Sequence, residues 1–194
     1  MAARSGMTSL ISQFRSLVDD TGTVAFTDDR AQEILDGNRF DFYQEPLTVT
    51  AQQIATGTVN YHVYTSQYKR LEGTASGTTA FRLYDSTGSA IATGYTLDDT
   101  NGIIRFTDTQ AGSARYLDAR SFDLYGAVAM AWRERAAQQA DGYDFRVEGR
   151  QYSRSQWFKH CMDMAKQFDA MRSNVAGGWG STTSFGVIER GDMC

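Results

Sequence analysis

Between Asp118 and Ser173 the chain repeats apolar residues at helical spacing in two stretches separated by the polar run DGYDFRVEGRQY, and this limits its fold more than any other feature. In the first stretch Leu124, Tyr125, Val128, Ala129, Ala131 and Trp132 fall on one broad helical face. In the second, Trp157, Cys161, Met164, Phe168 and Met171 are spaced alternately by four and three, the a/d seam of a packed helix. The spacing predicts helices over 118–140 and 153–173. Ser153 with Gln156 reads as a capping box, Tyr152 with Trp157 as its hydrophobic staple, and Asp141-Gly142 as a left-handed end to the first helix. Ala127, Ala129, Ala131, Ala136, Ala137 and Ala140 leave little side chain on the first helix. Small residues let a neighbouring helix approach closely, whether from this chain or from another subunit.

The start of the chain carries two shorter helical patterns. Leu10, Ile11, Phe14, Leu17 and Val18 share a face over 8–19, with Thr8 or Ser9 as cap. A second helix is predicted over 27–37, capped by Thr27, with Asp28 and Asp29 favouring its dipole, Ile34 and Leu35 pointing inward, and Gly37 stopping it. From 38 to 116 the period becomes two. Phe40, Phe42, Leu47 and Val49 alternate with polar residues, as do Val59, Tyr61 and Val63 with Asn60, His62 and Tyr64, and Phe81 and Leu83 with Arg82 and Tyr84. Asp85–Ser89 and Asp98–Gly102 read as hairpin turns, with Asn101-Gly102 the strongest signal. The expected fold class is α+β. An α-helical bundle of two short N-terminal helices plus a long C-terminal helical hairpin takes 1–37 and 117–173. A mostly antiparallel β domain is inserted over 38–116, and an extended C-terminal tail occupies 174–194.

The totals narrow the function classes. A net charge of −4 gives no basic footprint for nucleic acid. Two cysteines, Cys161 and Cys194, are too few for a disulfide framework, and Cys161 sits on the apolar seam as an inert core thiol. The start MAARSGMTSLISQF has no apolar core long enough for a signal peptide, and no stretch approaches a membrane span. Synthesis and folding in a cytoplasm follow as the expectation. No catalytic constellation, cofactor fingerprint or metal-binding motif is found. His160 and Cys161 are adjacent on a helix, about 100° apart, and poorly placed to share a metal. The acidic pairs Asp19-Asp20, Asp28-Asp29 and Asp98-Asp99 have structural work at a helix end, a helix start and a turn. Tyr61, Tyr64, Tyr68, Tyr84 and Tyr95 read as core and cross-strand pairs, or alternatively as the platform of a carbohydrate-binding or small enzymatic module.

Three stretches together resemble the head-tail connector (adaptor, or head-completion) proteins of tailed bacteriophages. SLISQFRSLVDDTGTVAFTDDRAQEILDGNRF is similar to that family's opening, a helix carrying an arginine, an acidic loop, then a short helix starting at FTD. FDLYGAVAMAWRERAAQQA and SRSQWFKHCMDMAKQFDAM resemble its alanine-rich helix and the partner started by Ser-Arg-Ser. SFGVIERGDM resembles its extended end. The likeness spans roughly half of the chain and leaves out the β segment. It implies no catalytic residues, cofactor or metal. It does imply a virion protein of the phage neck, a homo-oligomeric ring of about twelve copies assembled in the host cytoplasm. That ring stacks between the portal protein and a downstream neck or tail protein. DNA passes through its channel without specific binding, and no membrane is involved. The β segment is expected to be peripheral. The tail is expected to be disordered in the free subunit and extended on assembly. In it Phe185, Val187 and Ile188 would add a strand to the portal or a neighbouring subunit, with Arg190 and Asp192 fixing the register.

Overall fold

A computed structural model of the chain is mixed α/β, with four α-helices and two four-stranded antiparallel sheets. It describes residues 3–20, 25–53, 58–77, 79–140, 145–147, 150–152 and 154–172. The predicted tail, with Phe185, Val187, Ile188, Arg190 and Asp192, lies outside the described residues, as do Gly142 and Ser153.

Helix α1 spans Thr8–Leu17 and continues directly out of a 3-10 turn at Ser5–Met7. Neither Thr8 nor Ser9 caps it, because the preceding turn already supplies a helical backbone; the Thr8 hydroxyl donates to the Ser5 carbonyl at 2.9 Å. The helix ends where Asp19 turns left-handed (φ 53°) and the Asp20 N–H donates back to the Arg15 carbonyl at 3.0 Å. Helix α2 spans Asp28–Asp36 and has the expected cap, with the Thr27 hydroxyl accepting from the Arg30 N–H at 3.2 Å.

The strands are β1 (Arg39–Pro46), β2 (Thr48–Gln53), β3 (Val59–Thr65), β4 (Phe81–Tyr84), β5 (Ala90–Ile91), β6 (Tyr95–Asp98), β7 (Ile103–Phe106) and β8 (Tyr116–Phe122). One sheet runs β1-β8-β4-β5 and the other β2-β3-β7-β6. They pack around Phe42, Tyr64, Leu83, Ile104, Phe106 and Leu117. On β3 the core side is the Tyr64 side, while Val59 is exposed. The Asn101-Gly102 hairpin forms as expected, Gly102 at φ 68° with its N–H donating to the Asp98 carbonyl at 2.9 Å.

The largest departure is at β8. A helix expected from 118 begins only at Leu124, because Tyr116–Phe122 is the strand between β1 and β4. Leu117, Ala119 and Ser121 are buried while Tyr116, Asp118 and Arg120 are only partly so, a period of two. A residue held by neighbours on both sides cannot also start a helix. The chain leaves the sheet at Asp123, whose carboxylate accepts the Gly126 N–H at 2.9 Å and starts α3, Leu124–Ala140. A short ribbon of β9 (Phe145–Val147) and β10 (Arg150–Tyr152) leads to α4, Arg154–Arg172.

All four helices feed one apolar cluster, including Leu10, Phe14, Ile34, Val128, Cys161 and Phe168, and Phe122 of β8 reaches into it. Where this cluster meets the sheets, six side chains close a ring of alternating charge. Arg4 bridges Asp36 (2.6 Å) and Glu72 (2.7 Å), Arg120 bridges Glu72 (3.3 Å) and Asp41 (4.0 Å), and Arg39 bridges Asp41 (2.8 Å) and Asp36 (3.9 Å). Glu72 is fully buried, a placement that requires such partners. The bond to Asp36 holds the Arg4 guanidinium charged, above its ordinary range, against the opposing effect of burial.

Candidate functional site

The opening motif folds into one charged knot. Arg15 is buried and pairs with Asp28 at 2.7 Å and Asp20 at 3.4 Å. Asp20 also accepts the N–H groups of Ala25 (3.0 Å) and Phe26 (2.8 Å). An arginine on the first helix therefore ties Asp20, just past that helix, to the start of the second. Asp98, also singled out in the sequence, does local work. Asp98 accepts from the Asn101 N–H at 3.1 Å and its side-chain amide at 2.9 Å, which keeps that carboxyl below its ordinary range.

The five tyrosines do not assemble into a platform. Tyr64 is wholly buried, Tyr68 stacks on Phe42 at 4.3 Å, Tyr84 donates to Asp118 at 2.9 Å, Tyr95 lies 6.0 Å from both Phe81 and Phe106, and Tyr61 packs on Gly112. Among the described residues no group of three or more His, Cys, Asp or Glu is placed to hold a metal ion. No described helix is long and apolar enough to cross a membrane.

Of the six alanines, Ala127, Ala129, Ala131 and Ala136 are consumed inside the chain's own helical cluster, and Ala137 is exposed. They let α3 sit close to α4, and also to α1 and α2. The expected a/d seam on α4 is only half correct. Cys161 and Phe168 are buried with Ala165, and Met164 is partly buried, but Trp157 is 43% and Met171 44% exposed. Burial pushes the Cys161 thiol up from its ordinary value.

The exposure of Trp157 defines the candidate site, an apolar surface at the far end of the α3–α4 hairpin. Every residue from Ser155 to His160 is exposed, Phe158 at 39%. Behind Trp157 the Arg135 guanidinium lies over two indoles, 5.1 Å from Trp132 and 6.0 Å from Trp157. His160 packs against both rings, at 5.8 and 5.4 Å. The Trp132 indole N–H is buried and has no acceptor among the described residues. Sequence reasoning placed Trp157 in the core and passed over Phe158. The available signal was their adjacency, since consecutive helical residues cannot share a narrow stripe.

Compared with protein-family models, with curated proteins and with solved structures, the chain matches none.

Proposed function

We propose that this protein is a structural component of a tailed-phage neck, a homo-oligomeric ring between the portal and the tail that extends the DNA channel. In this reading the helices from both ends of the chain form one bundle, and the sheets are an inserted peripheral module. The observation that carries it is the far end of the hairpin. Trp157 and Phe158 stand exposed side by side on a helix whose other end is fixed in the core, and exposed aromatic pairs of this kind serve contacts between proteins. One face meeting a different face on the next copy closes into a ring when the rotation permits. The sequence likeness in the helices and the tail agrees with this, and a net charge of −4 suits a conduit that must not hold passing DNA.

The test is docking onto purified, DNA-filled, portal-bearing heads. The intact protein should dock and retain the DNA. A truncation lacking 179–194 and a Trp157→Ser/Phe158→Ser variant should each do so poorly. Failure of the intact protein to dock, or full docking by both variants, would overturn the proposal.

A further inference from the structure

Among the described strands, β6 is the last of its sheet, paired with β7 alone. Just before it, the Thr107 N–H donates to the Gly94 carbonyl at 2.9 Å, which fixes Gly94 opposite Thr107 as a hydrogen-bonded pair. In an antiparallel ladder such pairs alternate with non-bonded ones. In the register Tyr95↔Phe106 and Leu97↔Ile104, the main-chain groups of Tyr95 and Leu97 therefore face away from β7, toward the open edge. Beyond the strand the same side is already used: the Leu71 N–H donates to the Asp99 carbonyl at 2.8 Å. Tyr95–Leu97 face a groove of about 530 Å³, walled across from them by Ser5, Gly6, Thr8 and Ser9 and by Gly73–Ala75. The walls hold their distance because Gly6 and Gly73 meet backbone to backbone. The Gly73 N–H donates to the Gly6 carbonyl at 3.0 Å, and a Cβ on Gly6 would come within 2.5 Å of the Gly73 carbonyl. Among the described residues nothing pairs with these outward groups, so the groove is a recessed sheet edge of the kind that strand addition requires.

We propose that this edge receives the chain's own C-terminal segment Ser184–Arg190, contributed within one copy or by its neighbour. The proposal rests on reading that segment as an extended binding strand. It depends on neither the ring nor the portal. Its sequence, SFGVIER, has Phe185 and Val187 two apart, so both face one side of a strand, suiting the apolar parts of Tyr95 and Leu97. Reach is sufficient. The 12 residues 173–184 span up to about 40 Å when extended. Their starting point, Arg172, pairs with Asp123 two residues before Tyr125; Tyr125 lies under Arg70, and the Arg70 N–H donates to the Thr100 carbonyl just past β6.

Amide hydrogen exchange of the full chain tests this, against a chain ending at 183. The Tyr95 and Leu97 amides should exchange at least about tenfold more slowly in the full chain. Adding a peptide of residues 184–194 to the shortened chain should restore the protection. A full-length Val187→Pro variant, which alters only the incoming strand, should lose part of it. Equal exchange of Tyr95 and Leu97 in the full and shortened chains would overturn the proposal. If that occurs while the shortened chain still fails to dock on heads, this edge is excluded and the neck reading stands. If the protection is found but the intact protein never docks, the edge is occupied as proposed and the neck reading fails.

Discussion

The two ends of the α3–α4 hairpin use the same pair of helices for opposite purposes. At the near end most of the small and apolar residues disappear into the core: Ala127, Ala131, Cys161, Ala165 and Phe168 are all buried, with Met171 on the outer side of the last turn the exception. Charges lock this end, with Arg172 on Asp123 at 2.6 Å and Arg133 paired with Asp169. At the far end the large side chains Trp157 and Phe158 are exposed, and the body is met through Arg135, which donates to the Val18 carbonyl. Continuous apolar spacing along one helix thus does not mean continuous burial. The core ends partway along the hairpin, and the apolar residues beyond it are available to something else.

Substitutions at the near end should cost most. Phe168→Asp puts an unpaired charge beside Tyr125, whose ring lies 6.2 Å away, and should cost about 3–5 kcal/mol, read as a lower urea midpoint. An unchanged midpoint would dissolve the distinction between the two ends. Next comes the clamp. Asp123→Ala removes both the cap of α3 and the partner of Arg172 and should cost about 1–2 kcal/mol. Gly126→Ala sharpens the point. In an ordinary helix interior that change gains about 1 kcal/mol. Here the new Cβ would meet the buried Asp123 carboxylate and lie 2.9 Å from the Arg172 guanidinium carbon, so it would displace the cap of α3, and a melting comparison should show a loss.

Much of this layout was legible in the sequence. Thr27, the Asn101-Gly102 turn and the apolar faces of the first two helices act through local geometry, and local geometry is what spacing records. β8 was not legible. YLDARSF has no β-branched residue, and Ala119 and Arg120 favour helix in isolation. Only its neighbours β1 and β4 make it a strand. Trp157 was misplaced for a related reason, since seam spacing does not tell how far along α4 the core extends. The exposed surface at Trp157 and Phe158 was therefore invisible until the helices were placed against the body, and the tail residues read as an anchor lie outside the described part.

Cys161 offers a gentler probe of the near end. Its thiol is raised by burial, so the folded state holds that proton more tightly than the unfolded chain. The contribution to stability is full below the ordinary value of 9.0 and is lost as pH rises through the folded value. In a Cys194→Ser protein, a thiol reagent at mildly alkaline pH should label Cys161 only on unfolding. Labelling at the rate of a free thiol would mean that the near end opens readily. The smallest expected effect on stability belongs to the far end. Trp157→Ser/Phe158→Ser gives up the Trp157 ring contacts with Arg135 and His160 but leaves the core intact, and should cost only about 1 kcal/mol, read from the urea midpoint.

That variant also gives the most direct test of the central claim, that the far end of the hairpin is a surface for assembly. The measurement is sedimentation equilibrium of the intact and doubly substituted proteins, each with and without purified portal. The account predicts that the intact protein, in the presence of portal, adds a mass many times that of one 21.6 kDa chain. The variant, equally folded, should sediment as a single chain. An intact protein that remains a single chain under every condition, or a variant that assembles as fully as the intact protein, would contradict it.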